Sequence, residues 1–152
     1  MNWKHEAMEK LRRFDPMCRA VHNLPLEIRR LQIAASSLKG ARTDAPVTSG
    51  DVGRREELLM ENLVHRQELQ QRLEQARCWL DMTQRALESL EPAEQLILQR
   101  LYIRPEKDAL TRLRQELGVE QSTVYRRRDE ALRRFTLALY GTVESCQWTV
   151  DS

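Results

Sequence analysis

The sequence predicts an all-α protein in which an N-terminal coiled-coil helical hairpin precedes a C-terminal helix-turn-helix domain. Among the 152 residues there are only five glycines and five prolines, and β-branched residues do not occur in runs. Charged residues make up 32% of the chain and aromatic residues 5%, which is typical of helices with wide solvated faces. Apolar residues recur at helical spacing through most of the chain.

The first two helices are predicted from apolar spacing and from the positions of prolines. Residues 3–14 are expected to form a short amphipathic helix that Asp15-Pro16 closes. A second helix is expected to begin after Asn23, which suits an N-cap, with Pro25 in its first turn. Over residues 24–38 its apolar stripe advances by steps of four and three, as in a coiled coil.

A loop and a long helix are predicted next. Residues 40–53 are rich in Gly, Pro, Ser, Thr and Asp and lack periodicity, which predicts a flexible loop. Residues 54–89 are expected to form one helix with a near-heptad seam, interrupted at Asn62 and Arg66. A lone helix cannot bury such a stripe, so the 24–38 helix is expected to cover it in an antiparallel hairpin. Pairing between two copies of the chain is the alternative, and the two arrangements are compatible. The predicted seam contains Leu59, Leu69, Leu73, Ala76, Leu80, Thr83, Leu87 and Leu90.

Three shorter helices are predicted after the seam. Glu91-Pro92 breaks the long helix, and Pro92 suits the first turn of a helix over 92–103, which Arg104-Pro105 stops. Two further helices are expected over 108–117 and 121–139. The predicted division is an N-terminal helical arm over 1–90, a helix-turn-helix domain over 91–140 and a flexible tail over 141–152.

Gly118 lies between the last two of these helices, in the turn of the predicted helix-turn-helix motif. Glycine adopts the left-handed backbone conformation that closes a helix and redirects the chain. Val119 follows it and can fill the gap between the two helices. Ala131 is small and allows close approach of a crossing helix. The apolar stripe of the last helix contains Val124, Ala131, Leu132, Phe135 and Leu139.

The opposite face of the last helix is polar and basic, with five arginines against two carboxylates over 121–140. At about 100° per residue, side chains near the helix start project away from the stripe, where they can contact base edges in a DNA major groove. Arginines along the helix fit phosphates. The predicted base contacts are Gln121, Ser122, Tyr125 and Arg126, with Thr123 on the flank. The predicted backbone contacts are Arg127, Arg128, Arg133 and Arg134, with Lys107 and Thr111 on the other side.

An arginine run on a helix is in most proteins only a solvated face. Here the run is aligned with the glycine turn, which favours DNA binding. Arg128 differs from its neighbours because its angular position approaches the apolar stripe. The sequence leaves open whether Arg128 reaches a phosphate or pairs with an acidic neighbour.

The segment ELGVEQSTVYRRRDEALRRF (116–135) resembles region 4 of bacterial sigma factors, which share its Glu-Leu-Gly-Val start and Glu-Ala-Leu-Arg end. The preceding LESLEPAEQLILQRLYI (87–103) resembles the helix before that motif. STVYRRRDEALRRF (122–135) and LALYG (137–141) are more similar still to the sigma-like regulators of phage late genes, the ArpU and RinA type.

This resemblance covers residues 87–141 and implies control of packaging, structural or lysis genes through promoter binding. Sigma factors usually have an aliphatic residue where Arg127 stands, so sigma-like recognition of a promoter element is not implied. The chain also lacks the other sigma regions.

No pattern predicts an enzyme, a cofactor or a metal site. Cys18, Cys78 and Cys146 are far apart and without a C-x-x-C pair, which argues against a disulfide framework or a zinc site. The three histidines lack partners at metal-ligand spacing, and no nucleotide-binding or nucleophile motif occurs. The charged N-terminus and the lack of roughly 18 consecutive apolar residues argue against a signal peptide or membrane span, so a cytoplasmic protein is expected.

The sequence therefore predicts a non-enzymatic regulator of phage or prophage transcription that binds double-stranded DNA. Contact with RNA polymerase and a homodimer through the N-terminal helices are further expectations. One alternative is a DNA-packaging protein similar to a small terminase subunit, which would form a ring of many copies. Another is an interaction module in which the helix over 54–90 binds a protein and the basic face is incidental.

Overall fold

A computed structural model of the chain describes residues 2–40 and 49–143, without the side chain of Ser49. These residues form six α-helices and a short π-helical segment, and they contain no β-strand. The predicted all-α class is therefore confirmed. The helices are α1 (Trp3–Arg12), α2 (Phe14–Gly40), α3 (Ser49–Glu88), α4 (Pro92–Leu98), α5 (Ala109–Leu117) and α6 (Gln121–Tyr140), and the π-helical segment Gln99–Ile103 follows α4 directly.

The chain divides into two compact units that differ from the predicted domains. Unit 1 consists of Met1–Cys18 and Trp79–Ser152, and unit 2 of Arg19–Cys78. The predicted boundary at residue 90 does not match this division, because α1 and the end of α3 belong with the C-terminal helices. The physical reason is the apolar stripe of α1, whose Ala7 and Leu11 are buried among residues of α6.

Unit 1 contains two apolar clusters, and α6 contributes to both of them. The larger cluster joins α1, the end of α3, α4, the π-helical segment and α6. The second cluster joins α4, α5 and the start of α6 through Ile97, Leu113 and Val124. Because burial in two clusters holds α6 along most of its length, the helix is a rigid platform for its exposed face. The larger cluster contains Ala7, Leu11, Ala86, Leu90, Leu98, Tyr102, Ala131, Leu132 and Phe135.

In unit 2, α2 and α3 pack against each other through one apolar cluster. The side chain of Asn62 donates a 2.9 Å hydrogen bond to the carbonyl of Leu31 and accepts one of 2.7 Å from Arg66. The two polar residues of the predicted seam are thus hydrogen-bonded, which offsets the cost of placing them there. These are contacts that a helical hairpin requires, while the full arrangement of hairpin and helix-turn-helix stays a prediction. The cluster in unit 2 contains Ile28, Leu31, Leu69 and Leu73, with Val21 and Leu24 at its edge.

Two helix boundaries near the N-terminus were predicted wrongly. Asp15 and Pro16 do not close α1; they lie in the first turn of α2, where proline is tolerated. Asn23 is not an N-cap, because α2 continues through Pro25. An internal proline removes one backbone hydrogen bond. Here Val21, before the proline, packs on the same apolar cluster as the residues after it, and this burial favours one continuous helix.

Both ends of the loop predicted over 40–53 are helical in the structure. Gly40 is the last residue of α2, and residues 49–53 are already helical. Residues 41–48 lie outside the described residues, as do residues 144–152 of the predicted tail, which include Trp148. None of the described helices combines the length and the hydropathy needed to cross a membrane.

Candidate nucleic-acid interface

Gly118 joins α5 to α6 and has the left-handed conformation that was predicted, with φ 64° and ψ 37°. Its N–H donates to the carbonyl of Arg114, and the N–H of Val119 donates to the same carbonyl at 3.2 Å. A β-carbon on Gly118 would meet no atom within 4 Å. The need for glycine therefore comes from the positive φ alone. The chain changes direction at this residue, and α6 is a separate helix rather than a continuation of α5.

The packing beneath the turn fixes α6 against its neighbours. Ile97, Leu113 and Val124 come from α4, α5 and α6 and are fully buried together. Val119 packs against them from the turn, as the sequence indicated. The buried face of α6 is thereby occupied, and the face that carries Arg126 and Arg127 stays exposed.

The start of α6 carries the predicted base-contacting side chains, and Gln121, Ser122 and Arg126 are all exposed. Tyr125 is 38% exposed, and its hydroxyl accepts a 3.3 Å hydrogen bond from the side-chain amide of Gln121. Thr123 is half-buried, in keeping with its flanking position. The exposed end of α6 thus presents hydrogen-bond donors and acceptors of the kind that contact base edges.

The cations of α5, α6 and the segment before them fall into two classes. Arg126 and Arg127 are exposed and have no hydrogen bond or ion pair with any residue that the structure describes. Within the same described residues, Lys107 and Arg114 also have no such partner. An exposed arginine without a partner keeps all its donors for an incoming ligand. These four side chains are therefore available to bind an anion.

Arg128 belongs to the paired class. Its guanidinium is 3.0 Å from Asp129 Oδ1 and 4.8 Å from the ring centroid of Tyr125. Burial raises the pKa of the Tyr102 hydroxyl, and the positive charge of Arg128 opposes that rise. The sequence left two roles open for Arg128, and the structure shows its pairing with an acidic neighbour, Asp129. The guanidinium of Arg128 is therefore already paired in the free protein.

Arg134, a predicted phosphate contact, is also paired in the free protein. Its Nη1 is 2.7 Å from Glu94 Oε1, and Glu94 raises the pKa of Arg134. Further ion pairs with Glu91 and Glu130 make Arg134 a link between α6 and the start of α4. Arg133 is 3.5 Å from Glu130 in an exposed pair. Such a pair contributes little to stability, so Arg133 can exchange Glu130 for another anion.

The predicted backbone contacts outside α6 are separated in the structure. Thr111 lies on the exposed face of α5 and lines an open groove of about 460 Å³ beside the turn. Lys107 precedes α5, is exposed and does not line this groove. Arg114 does line it and was missed. Its position three residues after Thr111, on the neighbouring turn of α5, could have revealed it.

Among the described residues, no three His, Cys, Asp or Glu side chains are grouped so that they could hold a metal ion. Comparisons of the chain with known protein families, with curated proteins and with solved structures found no match.

Proposed function

We propose that this protein is a sequence-specific DNA-binding regulator of phage or prophage transcription that acts in the cytoplasm of a bacterial host. The observation that supports this most is the pair Arg126 and Arg127, exposed and without a described partner on the early turns of α6. Gly118 ends α5 before α6 begins, and Gln121 and Ser122 at the start of α6 are exposed. A helix about 10–12 Å across fits the major groove of B-DNA, which is about 12 Å wide.

The exposed side chains divide into two roles in this proposal. Arg126 suits a bidentate contact with guanine, and Gln121 suits adenine. Arg127, Arg133 and Arg114 suit phosphates, because they extend from the flanks of α6 and from α5. Base contacts then give specificity, while phosphate contacts fix the register of the helix on the duplex.

The regulated genes are proposed from the resemblance over residues 87–141. It supports control of late, packaging or lysis genes, with RNA polymerase as a protein partner.

Selection of bound duplexes from a random pool tests the DNA-binding proposal. We expect one sequence to be enriched, and its affinity to fall with salt, with a slope of log K against log salt of about −0.9 per phosphate contacted. Equal affinity for the selected duplex and for random DNA would contradict a sequence-specific regulator. No binding to either duplex at low salt would favour the protein-interaction module.

A DNA-packaging role similar to that of a small terminase subunit is the second candidate, because both candidates involve self-association and unit 2 has exposed apolar side chains. Leu26 and Ile33 of α2 and Met60 of α3 are each more than half exposed. Exposed apolar side chains that form a contiguous patch mark interaction sites. We propose that a second copy of the chain covers this surface in a homodimer.

Light scattering of the purified protein separates the two roles. We expect a mass of two chains, and a shift to one chain when Ile33 and Met60 are both replaced by lysine, because the charges would have to be buried. Replacement of exposed Met82 of unit 1 by lysine is the matched control and should leave the mass unchanged. A ring of about eight or more copies would contradict the regulator and support packaging.

A further inference from the structure

The first turn of α1 lies beside α6 within unit 1. Ala7 and Leu11 of α1 are buried in one cluster with Phe135 of α6, which fixes the two helices relative to each other. As a result, Lys4 Nζ lies 3.4 Å from Asp129 Oδ2. Both side chains are about 40% exposed (39% and 40%), so this ion pair is at the surface.

An open groove of about 780 Å³ lies between the start of α1 and α6. Trp3 and Lys4 line it from α1, and the basic face of α6 lines it from the other side. The Lys4 ammonium is 5.7 Å from the ring centroid of Trp3, which helps to orient it. Cations outnumber carboxylates in this groove. The charged residues that line it are Lys4, Arg126, Arg127, Arg133, Asp129 and Glu130.

The two carboxylates of the groove are paired with Lys4 and Arg133, and Arg126 and Arg127 stay without a partner among the described residues. Asp129 lies between Lys4, at 3.4 Å, and Arg128, at 3.0 Å. Glu130 accepts a 3.3 Å hydrogen bond from Arg134. In this groove Arg126 and Arg127 are unpaired and the carboxylates are neutralised. A ligand with regularly spaced negative charges, such as a nucleic-acid backbone, is therefore expected to bind there.

We propose that α1 is part of the DNA interface and that Lys4 contacts a phosphate of the strand that borders the major groove holding α6. The inference rests on the proposed function and adds a second helix to it. A major groove about 12 Å wide admits only one helix of about 10–12 Å. A side chain from a neighbouring helix must then meet the sugar-phosphate backbone rather than a base. Lysine suits this contact because its ammonium is a compact charge on a flexible stem.

The test is the salt dependence of binding to the selected duplex for Lys4→Gln, measured by fluorescence anisotropy. Loss of one phosphate contact should reduce the slope of log K against log salt by about 0.9. When the salt concentration rises from about 50 to 200 mM, the affinity of both proteins falls. The fold loss should be about 3.5 times smaller for the variant than for the wild type. Lys4→Arg should keep the wild-type slope. Lys10→Gln is the matched control on α1, since the Lys10 ammonium is 5.4 Å from the Tyr140 ring centroid and does not line the groove.

Two results would overturn this inference while leaving the proposed function intact. One is a wild-type slope for Lys4→Gln on a duplex that the wild type binds specifically. The other is a weaker affinity with an unchanged slope that Asp129→Asn restores, because Lys4 would then serve only to neutralise Asp129. Failure of the wild-type protein to bind any duplex would instead contradict the proposed function itself. Circular dichroism of each variant checks that α1 still folds.

Discussion

Replacement of Arg126 by alanine is expected to weaken binding to the selected duplex by about 1–3 kcal/mol, which is about 5- to 150-fold. Arg126 is exposed on the second turn of α6 and has no partner within the described part of the chain. Its removal therefore costs nothing inside the protein, and the whole loss is a loss of DNA contact. Base preference should relax at one position of the site, because a bidentate contact with guanine is removed.

The comparison that decides the role of Arg126 uses the selected duplex and a scrambled duplex of the same length. A base contact predicts a large loss on the first duplex and little change on the second. Arg85→Ala is the control, since Arg85 is exposed on α3 and paired with Asp81 at 3.2 Å. An equal loss on both duplexes would assign Arg126 to a phosphate instead. Arg127→Ala is expected to cause an equal loss on both duplexes, because Arg127 is proposed to contact a phosphate.

Replacement of Phe135 by alanine is expected to destabilise unit 1 by about 3–5 kcal/mol. Phe135 is 0% exposed and is the largest fully buried side chain of the described residues. Its cluster joins α6 to α1, to the end of α3 and to α4. Truncation leaves a cavity among these helices and loses the apolar area that Phe135 buries. DNA binding should weaken as well, because the cluster holds α6 in position.

Tryptophan fluorescence in urea measures this loss through residues of unit 1. The tryptophans of the chain are Trp3, Trp79 and Trp148, and unit 2 contains none. Met82→Ala is the control; Met82 is 46% exposed in unit 1, and its truncation should change the free energy of unfolding by about 0.5 kcal/mol or less. A change for Phe135→Ala as small as that of the control would show that the cluster does not stabilise unit 1.

Sequence periodicity predicted the fold class and most helices, because apolar spacing determines which face of a helix is buried. It failed where a local rule competed with burial elsewhere in the chain. Proline at position 25 normally ends or begins a helix, yet the apolar cluster of unit 2 spans it. The stripe of α1 was visible in the sequence. The helix against which α1 packs could not be predicted, because the spacing of Ala7 and Leu11 does not indicate whether they contact α6 or another helix.

The candidate interface was predictable in its turn and its exposed face, because Gly118 and the stripe of α6 are local features. The partners of the arginines were not local. Arg134 pairs with Glu94, which is 40 residues away in the sequence, and only the folded chain brings them together. The structure thus separates arginines that stabilise unit 1 from Arg126 and Arg127, which are available to a ligand.

Titration of the ¹⁵N-labelled protein with the selected duplex, followed by NMR, tests most directly whether the start of α6 contacts DNA. We expect the largest shifts at the amides of residues 121–127 and at the side-chain N–H of Arg126, with little change at Arg85. Shifts concentrated in residues 19–78, with the start of α6 unchanged, would contradict DNA binding by α6.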